Sequence, residues 1–125
     1  MFKELRTTIY QVSDIDAGKA WYGKALGIAP YFDQPFYVGF QVGGYELGLQ
    51  ADAPARDVVE NVVAYWSVDN AQAAYDHLIA AGASHHASPQ DVGEGITFAS
   101  VRDPFGNVFG VIANPHFMLD ATRRQ

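Results

Sequence analysis

The sequence predicts an α+β fold made of two βαβββ modules, whose strands form a curved mixed sheet around a cavity. The order of strand, helix and three strands occurs twice: VSD at 12–14 is matched by VDN at 68–70, and Gly27 is matched by Gly82. The offsets are 56 residues at the strands and 55 at the helix ends, which indicates an internal repeat. One module would cover a single face of its sheet with its helix, so a second module can close the other face.

The clearest element is the stretch ITFASVRDPFGNVFGVI at residues 96–112. Its two apolar runs are rich in Val, Ile, Phe and Thr, which is typical of buried strands. They flank DPFGN at 103–107, where Pro presets φ and where Gly and Asn tolerate a positive φ. The stretch therefore predicts a β-hairpin.

Composition excludes several classes of function. The 125 residues carry a net charge of −6, and their only Lys/Arg cluster is the pair 123–124, so no nucleic-acid partner is expected. The absence of cysteine excludes disulfides, thiolate nucleophiles and Cys-ligated metals. Hydrophobic residues make up 49% of the chain, enough for the core of one domain. Aromatic residues make up 14%, and some of them are expected to line a cavity.

Membrane association is not expected either. No apolar run approaches the ~18 residues that a membrane span needs. The N-terminal stretch MFKELRTTIY lacks the apolar core of a signal peptide. These two features predict a soluble, cytoplasmic protein.

Module one is predicted over about residues 5–50. A β-rich run at 5–12 gives its first strand. A helix follows, which is capped by Asp14 or Asp16 and ends at Gly27. Three short strands at 31–32, 36–42 and 45–50 complete the module. The core-facing stripe predicted for the helix consists of Ala17, Ala20, Trp21, Ala25 and Ile28.

Module two is predicted over about residues 61–113, after a linker at 51–60 that shows no strand alternation. It starts with a strand at 61–68, and its helix is capped by the pair 69–70 and closed by Gly82. A short strand at 84–87, a loop at 88–95 and the hairpin strands 96–101 and 108–113 follow. Residues 114–125 form a tail. The core-facing stripe predicted for this helix consists of Ala71, Ala74, Tyr75, Leu78 and Ile79.

This pattern resembles the vicinal oxygen chelate superfamily, which holds glyoxalase I, extradiol dioxygenases and bleomycin-resistance proteins. The matching pieces are VSD at 12–14 leading to WY at 21–22 and LG at 26–27, then SVDN at 67–70, AGA at 81–83 and the turn DPFGN at 103–107. The DP-x-G-N turn is the most specific of them. The resemblance implies a glyoxalase-like fold over nearly the whole chain, and a homodimer whose seam holds the first-strand edges or the segment 115–118.

The resemblance also implies where a metal would bind. Metal-dependent members place one ligand on the first strand of each module and one on the last. In this sequence those positions hold Thr7 and Glu46 in module one, and Val63 and Gly110 in module two. Val and Gly have no ligand atom and Thr is a poor ligand, whereas divalent metals need converging His, Asp or Glu side chains. We therefore expect no metal and no other cofactor.

Glu46 is the one carboxylate among these positions. Strand alternation in YELGLQ places Glu46 on the cavity side of the sheet. One reading is a remnant carboxylate that is hydrogen-bonded to neighbours such as Gln11 or Tyr65. The other reading is a general base, or an acceptor for a ligand N–H, whose pKa is raised by an apolar cavity.

The same alternation gives a set of residues that are expected either to line the cavity and bind a ligand or simply to pack a core. The set consists of Thr7, Ile9, Gln11, Phe40, Glu46, Val63, Tyr65, Ser67, Phe98 and Gly110. Histidines offer an alternative site. His85 and His86 are adjacent on a predicted strand, so at most one faces the cavity. A displaced metal site would combine that histidine with Glu46 and His116.

Three functions follow from these residues. The first is a metal-free binding protein of the bleomycin-resistance type, which holds a small, partly aromatic molecule and, given the acidic chain, favours cations. The second is a glyoxalase- or dioxygenase-type enzyme with a displaced metal site. The third is a metal-free enzyme that uses Glu46 as its base.

Overall fold

A computed structural model describes residues 1–51 and 62–117 of the chain, which form two compact units. Unit one holds residues 1–51 and unit two holds residues 62–117. Each unit contains one helix and one four-stranded mixed sheet, so the predicted α+β class with two βαβββ modules is confirmed. The predicted linker lies outside the described residues except for Ala51, as does the tail from residue 118 onward.

Unit one has the sheet order β1-β4-β3-β2. Strands β1 and β4 are parallel, and the other neighbours are antiparallel. The elements are β1 (Thr7–Val12), α1 (Ile15–Leu26), β2 (Phe32–Gln34), β3 (Tyr37–Val42) and β4 (Tyr45–Ala51).

Helix α1 begins and ends as predicted. The Asp14 carboxylate accepts hydrogen bonds from the backbone N–H groups of Asp16 and Ala17 at 3.0 and 3.1 Å, and Gly27 ends the helix with φ of 73°. The predicted stripe is wrong, because the buried positions of the helix are Gly18 and Tyr22. A methyl group at Gly18 would lie 3.1 Å from a Val12 methyl, so the helix approaches β1 most closely at a residue without a side chain. The predicted stripe residues Ala17, Ala20 and Ile28 are exposed.

The two faces of the unit-one sheet differ sharply. The face toward α1 is apolar and buried, and it consists of Tyr10, Val12, Val38, Phe40, Leu47 and Leu49. The other face, here called the open face of unit one, carries the alternate residues of the same strands. Phe40 was predicted for the cavity side, and this placement is wrong. It pairs with Leu47 and is fully buried toward the helix, whereas its neighbour Gly39 lies on the open face.

Unit two repeats the arrangement with the sheet order β5-β8-β7-β6. Its helix is capped by Asn70, whose side chain accepts from the Ala73 N–H at 2.9 Å, and its stripe residues Ala71 and Leu78 are buried as predicted. Strand β6 is longer than predicted, because it continues past Pro89 through two register shifts on the edge of the sheet. The elements are β5 (Tyr65–Ser67), α2 (Ala71–Ala80), β6 (Ser84–Asp91), β7 (Thr97–Arg102) and β8 (Val108–Ala113).

The DPFGN turn joins β7 to β8 as predicted. The Asp103 carboxylate, 3% exposed, accepts from the backbone N–H groups of Phe105 and Asn107 at 2.9 and 2.8 Å and from the Asn107 side chain at 2.9 Å. Gly106 supplies the positive φ of 91° that the turn requires. This closed network explains why the turn is the most specific part of the sequence pattern.

Strands β1 and β5 are edge strands of their own sheets. Exposed edges favour pairing with another chain, so the homodimer remains a prediction of the sequence. Within residues 1–51 and 62–117, no helix is long and apolar enough to cross a membrane.

Candidate functional site

The open face of unit one is built around the Glu46 carboxylate. Strand pairing places Glu46 directly opposite Thr7, as parallel β1 and β4 run side by side. The Thr7 hydroxyl donates to Glu46 Oε1 at 2.8 Å, and the Tyr31 hydroxyl donates to Oε2 at 2.5 Å. A third hydroxyl, that of Tyr37 at the start of β3, also hydrogen-bonds to the carboxylate. Glu46 is thus a paired carboxylate, with partners other than the predicted Gln11 and Tyr65.

Two glycines make room for these hydrogen-bonded side chains. A methyl group at Gly39 would lie 2.6 Å from Glu46 Oε2 and 2.9 Å from Tyr31 Cε1. A methyl group at Gly48 would lie 2.7 Å from Tyr37 Cζ. All three distances are far inside van der Waals contact, so the two tyrosine rings lie where side chains on β3 and β4 would otherwise stand.

The electrostatics of the site hold Glu46 ionised. Partial burial acts to raise the pKa of Glu46, but hydrogen bonds from Tyr31, Thr7 and Tyr37 outweigh it and leave the pKa lowered. The predicted rise of this pKa is therefore wrong, because three hydroxyl donors stabilise the charged form. Burial, reinforced by the nearby carboxylate, raises the pKa of Tyr37 to about 12. The hydrogen bond to Glu46 also raises the pKa of Tyr31.

Four aromatic rings of the β2–β3 hairpin lie beside the hydrogen-bonded side chains around Glu46. Phe32 is at their centre, with ring centroids 6.3 Å from Tyr31, 6.5 Å from Phe36 and 6.1 Å from Tyr37. The exposed fractions of Tyr31, Phe32 and Phe36 are 65%, 39% and 66%. We call these four residues the aromatic cluster. The aromatic cluster presents apolar ring surface to solvent next to the ionised Glu46 carboxylate.

A shallow depression of about 150 Å³ lies beside the carboxylate. It is lined by Arg6, Tyr31, Gln41, Gly44, Tyr45 and Glu46. The Arg6 guanidinium is paired with the Glu4 carboxylate at 2.7 Å, so its charge is balanced within its own segment. The depression therefore has a negatively charged wall at Glu46 and an aromatic wall at Tyr31.

On the corresponding face of unit two, Gly110 stands in the place of Glu46 and Tyr65 in the place of Thr7. Strand pairing sets Tyr65 opposite Gly110, whereas the sequence pattern assigned that place to Val63, which precedes β5. Hydrogen bonds of the two parallel strand pairs show the equivalence. The Gly110 N–H donates to the carbonyl of Ala64, just before Tyr65, as the Glu46 N–H donates to the carbonyl of Arg6, just before Thr7. A methyl group at Gly110 would lie 2.6 Å from Tyr65 Cδ1, so the ring covers the glycine.

The other predicted residues fall on the two sheet faces as follows. Ile9 and Gln11 share the open face of unit one with Thr7, opposite Gly48 and Gln50. In unit two, the Phe98 ring lies edge-on to Tyr65 at 5.8 Å, and Ser67 pairs with Ile112. Apart from Phe40, the predicted residues within the strands thus occupy the expected faces.

The donor set does not fit a metal ion of the kind the fold family uses. Unit one offers a single carboxylate whose two oxygens already accept from hydroxyl groups, and unit two offers Gly110 beneath a ring. Each histidine of the predicted displaced site has another partner: His85 contacts the Tyr75 hydroxyl, His86 the Ser100 hydroxyl, and His116 the Glu94 carbonyl. Among residues 1–51 and 62–117, no three His, Asp or Glu side chains form a group that could hold a metal.

A sequence model of the Glyoxalase/Bleomycin resistance protein/Dioxygenase superfamily matches residues 5–111. The chain belongs to this superfamily. The match covers every described strand and helix, apart from the last two residues of β8. No curated protein matches the sequence significantly.

Solved structures of the superfamily share the fold. A glyoxalase-related enzyme from Fulvimarina pelagi has a TM-score of 0.78 at 19% identity, covering 96% of this chain and 94% of its own. A glyoxalase/bleomycin resistance protein/dioxygenase family enzyme from Burkholderia phytofirmans PsJN has a TM-score of 0.75 at 21% identity, with coverages of 89% and 98%. The lactoylglutathione lyase from Agrobacterium tumefaciens has a TM-score of 0.73 at 17% identity, with coverages of 96% and 100%. At such identities the likeness shows the fold alone.

Sequence reasoning missed Tyr31 and Tyr37 as partners of Glu46. Both lie in a hairpin that was read only as short strands. One signal could have found them, because glycines at 39 and 48 on the open face leave space that only neighbouring side chains can fill.

Proposed function

We propose that this superfamily member binds a small, partly aromatic cation on the open face of unit one, without a metal ion. The observation that carries the proposal is the Glu46 carboxylate, held ionised by three hydroxyl donors beside exposed aromatic rings. A carboxylate that is already solvated by the protein stays charged at neutral pH, so it can attract a cation.

The surroundings of Glu46 suit such a ligand. The aromatic cluster supplies flat apolar surface for stacking, and Ile9 adds further exposed apolar area on the same face. The chain's net charge of −6 favours the approach of cations over anions.

The two enzyme alternatives find less support. A general base works best with a pKa near the working pH, whereas the pKa of Glu46 is lowered from its ordinary value. A displaced metal site would need histidines whose ring nitrogens already contact Tyr75, Ser100 and Glu94.

Titration calorimetry with aromatic cations and their neutral analogues tests the proposal. Glu46→Gln is expected to weaken binding of cations by about 1–3 kcal/mol, the range for a charged hydrogen bond, and to leave neutral analogues unaffected. Phe32→Ala is expected to weaken binding of cations and neutral analogues alike, because it removes stacking area from the aromatic cluster and no charge.

Asp76→Asn is the matched control for the loss of one negative charge. Asp76 is exposed on α2, where it accepts a hydrogen bond from Gln72, and it belongs to unit two. We expect this variant to bind cations as the wild type does. Equal losses in Glu46→Gln and Asp76→Asn would show that net charge alone attracts the ligand, and the proposed site would be wrong.

A further inference from the structure

We infer that the cation recognised at Glu46 is a tertiary or quaternary ammonium group on an aromatic molecule, in preference to an amidinium, a guanidinium or a primary ammonium. This inference rests on the proposed function. It concerns which kind of charged group binds. The number of acceptor positions that remain free on the Glu46 carboxylate limits the hydrogen bonds that a bound cation can donate.

Both oxygens of the Glu46 carboxylate are already engaged. Oε1 accepts from Thr7 at 2.8 Å and Oε2 accepts from Tyr31 at 2.5 Å, while Tyr37 supplies a third donor. A carboxylate has about four acceptor positions in all. An amidinium or guanidinium binds a carboxylate through two parallel N–H···O bonds, which need both oxygens free in one plane. The three hydroxyl groups take three of the four positions, so two parallel bonds to a ligand cannot form, and the negative charge stays in place.

A cation that needs no more than one directed hydrogen bond suits such a carboxylate. Tertiary and quaternary ammonium groups are attracted by charge and by the faces of aromatic rings, the chemistry of aromatic cages. The aromatic cluster supplies those rings, with Tyr31, Phe32 and Phe36 each more than a third exposed. Tyr31 and Tyr37 belong both to the cluster and to the hydrogen-bonded set, which places ring surface beside the charge.

One positive side chain lines the depression beside Glu46. Arg6 is exposed, and its guanidinium is paired with Glu4 at 2.7 Å. Lys19 of α1 is paired with Asp33 of β2 at 3.0 Å. Both cations have their own carboxylate partners, so neither neutralises Glu46.

The experiment compares four probes by titration calorimetry: benzyltrimethylammonium, benzylamine, benzamidine and neutral benzyl alcohol. All four carry one benzene ring, so their differences report the charged group. We expect benzyltrimethylammonium to bind about two- to five-fold more tightly than benzylamine or benzamidine. This factor in affinity corresponds to a cation–π contribution at an exposed site. In Glu46→Gln its advantage over benzyl alcohol should disappear.

Tyr31→Phe provides the sharper test, because it keeps the ring and removes the hydroxyl that donates to Oε2. With that oxygen free, benzamidine should gain about three-fold in affinity while benzyltrimethylammonium changes little. Tyr75→Phe, which removes a tyrosine hydroxyl on α2 of unit two, is the control and should alter no probe.

The outcomes separate the two proposals. If benzamidine or benzylamine binds the wild type more tightly than benzyltrimethylammonium, or if Tyr31→Phe leaves benzamidine unchanged, the inference is overturned and the proposed function stands. If none of the cations binds more tightly than benzyl alcohol, the proposed function fails together with the inference.

Discussion

The sheets of the two units have the same strand order, yet the sheet faces that point away from the helices hold different groups. In unit one, β1 and β4 bring Thr7 and Glu46 together, and tyrosine hydroxyls from the β2–β3 hairpin complete the set. In unit two, the equivalent pair is Tyr65 and Gly110, and the ring lies over the glycine. One face therefore presents a charge surrounded by donors, and the other presents an apolar platform.

The two sheet faces share one structural feature. A tyrosine ring lies across a strand glycine in each unit: Tyr37 over Gly48 and Tyr65 over Gly110. In unit one, the ring also reaches a carboxylate with its hydroxyl, whereas in unit two, the ring takes the space of the missing side chain. The difference teaches that one strand geometry can hold a hydrogen-bonded carboxylate in one unit and an aromatic ring over a glycine in the other.

The largest expected effects come from filling the glycine sites. Gly48→Ala should destabilise the protein by about 1–3 kcal/mol, because the methyl group would overlap the Tyr37 ring. Gly110→Ala should cost a similar amount. Chemical denaturation measures both. Gly23→Ala in α1 is the control, since its methyl group would have no neighbour nearer than 3.6 Å, and it should stabilise by about 0.5–1 kcal/mol.

Double variants sharpen this comparison between the units. In a Tyr37→Ala background, Gly48→Ala should cost little, because the three atoms nearest to its methyl group all belong to Tyr37. In a Tyr65→Ala background, Gly110→Ala should still cost part of its effect, because the Ala64 carbonyl would remain 2.8 Å away. Equal rescue in both units would show that the two glycines are not used as described.

Removal of the Glu46 charge should have a smaller effect on stability. Glu46→Gln is expected to lower the free energy of unfolding by about 1 kcal/mol at pH 7, as three hydroxyl donors lose a charged acceptor. The pKa of Glu46 is lower in the folded than in the unfolded state, so the folded protein binds fewer protons there. The contribution is therefore complete above the ordinary pKa of 4.5 and is lost as the pH falls through the folded value.

Urea titrations of the wild type and Glu46→Gln across this pH range test the prediction. Their stability difference should be constant at neutral pH and should shrink in acid. A difference that grows as the pH falls would mean that the folded protein favours the protonated carboxyl.

Tyr31 and Tyr37 should titrate late in alkali, with little change in neutral stability. Because the pKa of Tyr37 is raised from 10.0 to about 12, the stability it contributes is present below pH 10 and is lost as the pH rises toward 12. Absorbance of tyrosinate near 295 nm should show a late-ionising group that Tyr37→Phe removes. Tyr75→Phe should leave the late step in place.

The smallest expected effect is that of metal removal. EDTA should leave the melting temperature unchanged, and added Zn²⁺, Ni²⁺ or Mn²⁺ should not raise it, because the described donor set does not fit such an ion. Metal analysis of protein purified without a histidine tag is the complementary measurement. A stoichiometric metal would contradict this account of both faces.

The sequence allowed the elements and one sheet face to be predicted well. Strong alternation in YELGLQ placed Leu47 and Leu49 on the helix side and Glu46 opposite, as the structure has them. The run YVGFQV gave no such guide, because Val38, Gly39 and Phe40 are all buried, and Phe40 was placed on the wrong face. Hydrophobic periodicity is ambiguous where a glycine on the open face is covered by a ring.

The hydrogen-bonded set could not be predicted in the same way. Tyr31 and Glu46 are 15 residues apart, and their contact depends on how the β2–β3 hairpin lies over Gly39. The pairing of Tyr65 with Gly110 depends on the register of two parallel strands, which no local turn fixes. Both features arise from tertiary geometry, so strand alternation alone gave the face and not the partners.

The central claim is that the fold holds Glu46 as an ionised carboxylate through hydroxyl donors. Carbon-13 NMR of the Glu46 side-chain carboxyl, followed through an acid titration, tests it most directly. The account predicts a midpoint below the ordinary value of 4.5 in the wild type and an upward shift in Tyr31→Phe, where one donor is lost. A wild-type midpoint above 4.5, or one that Tyr31→Phe leaves unmoved, would contradict it.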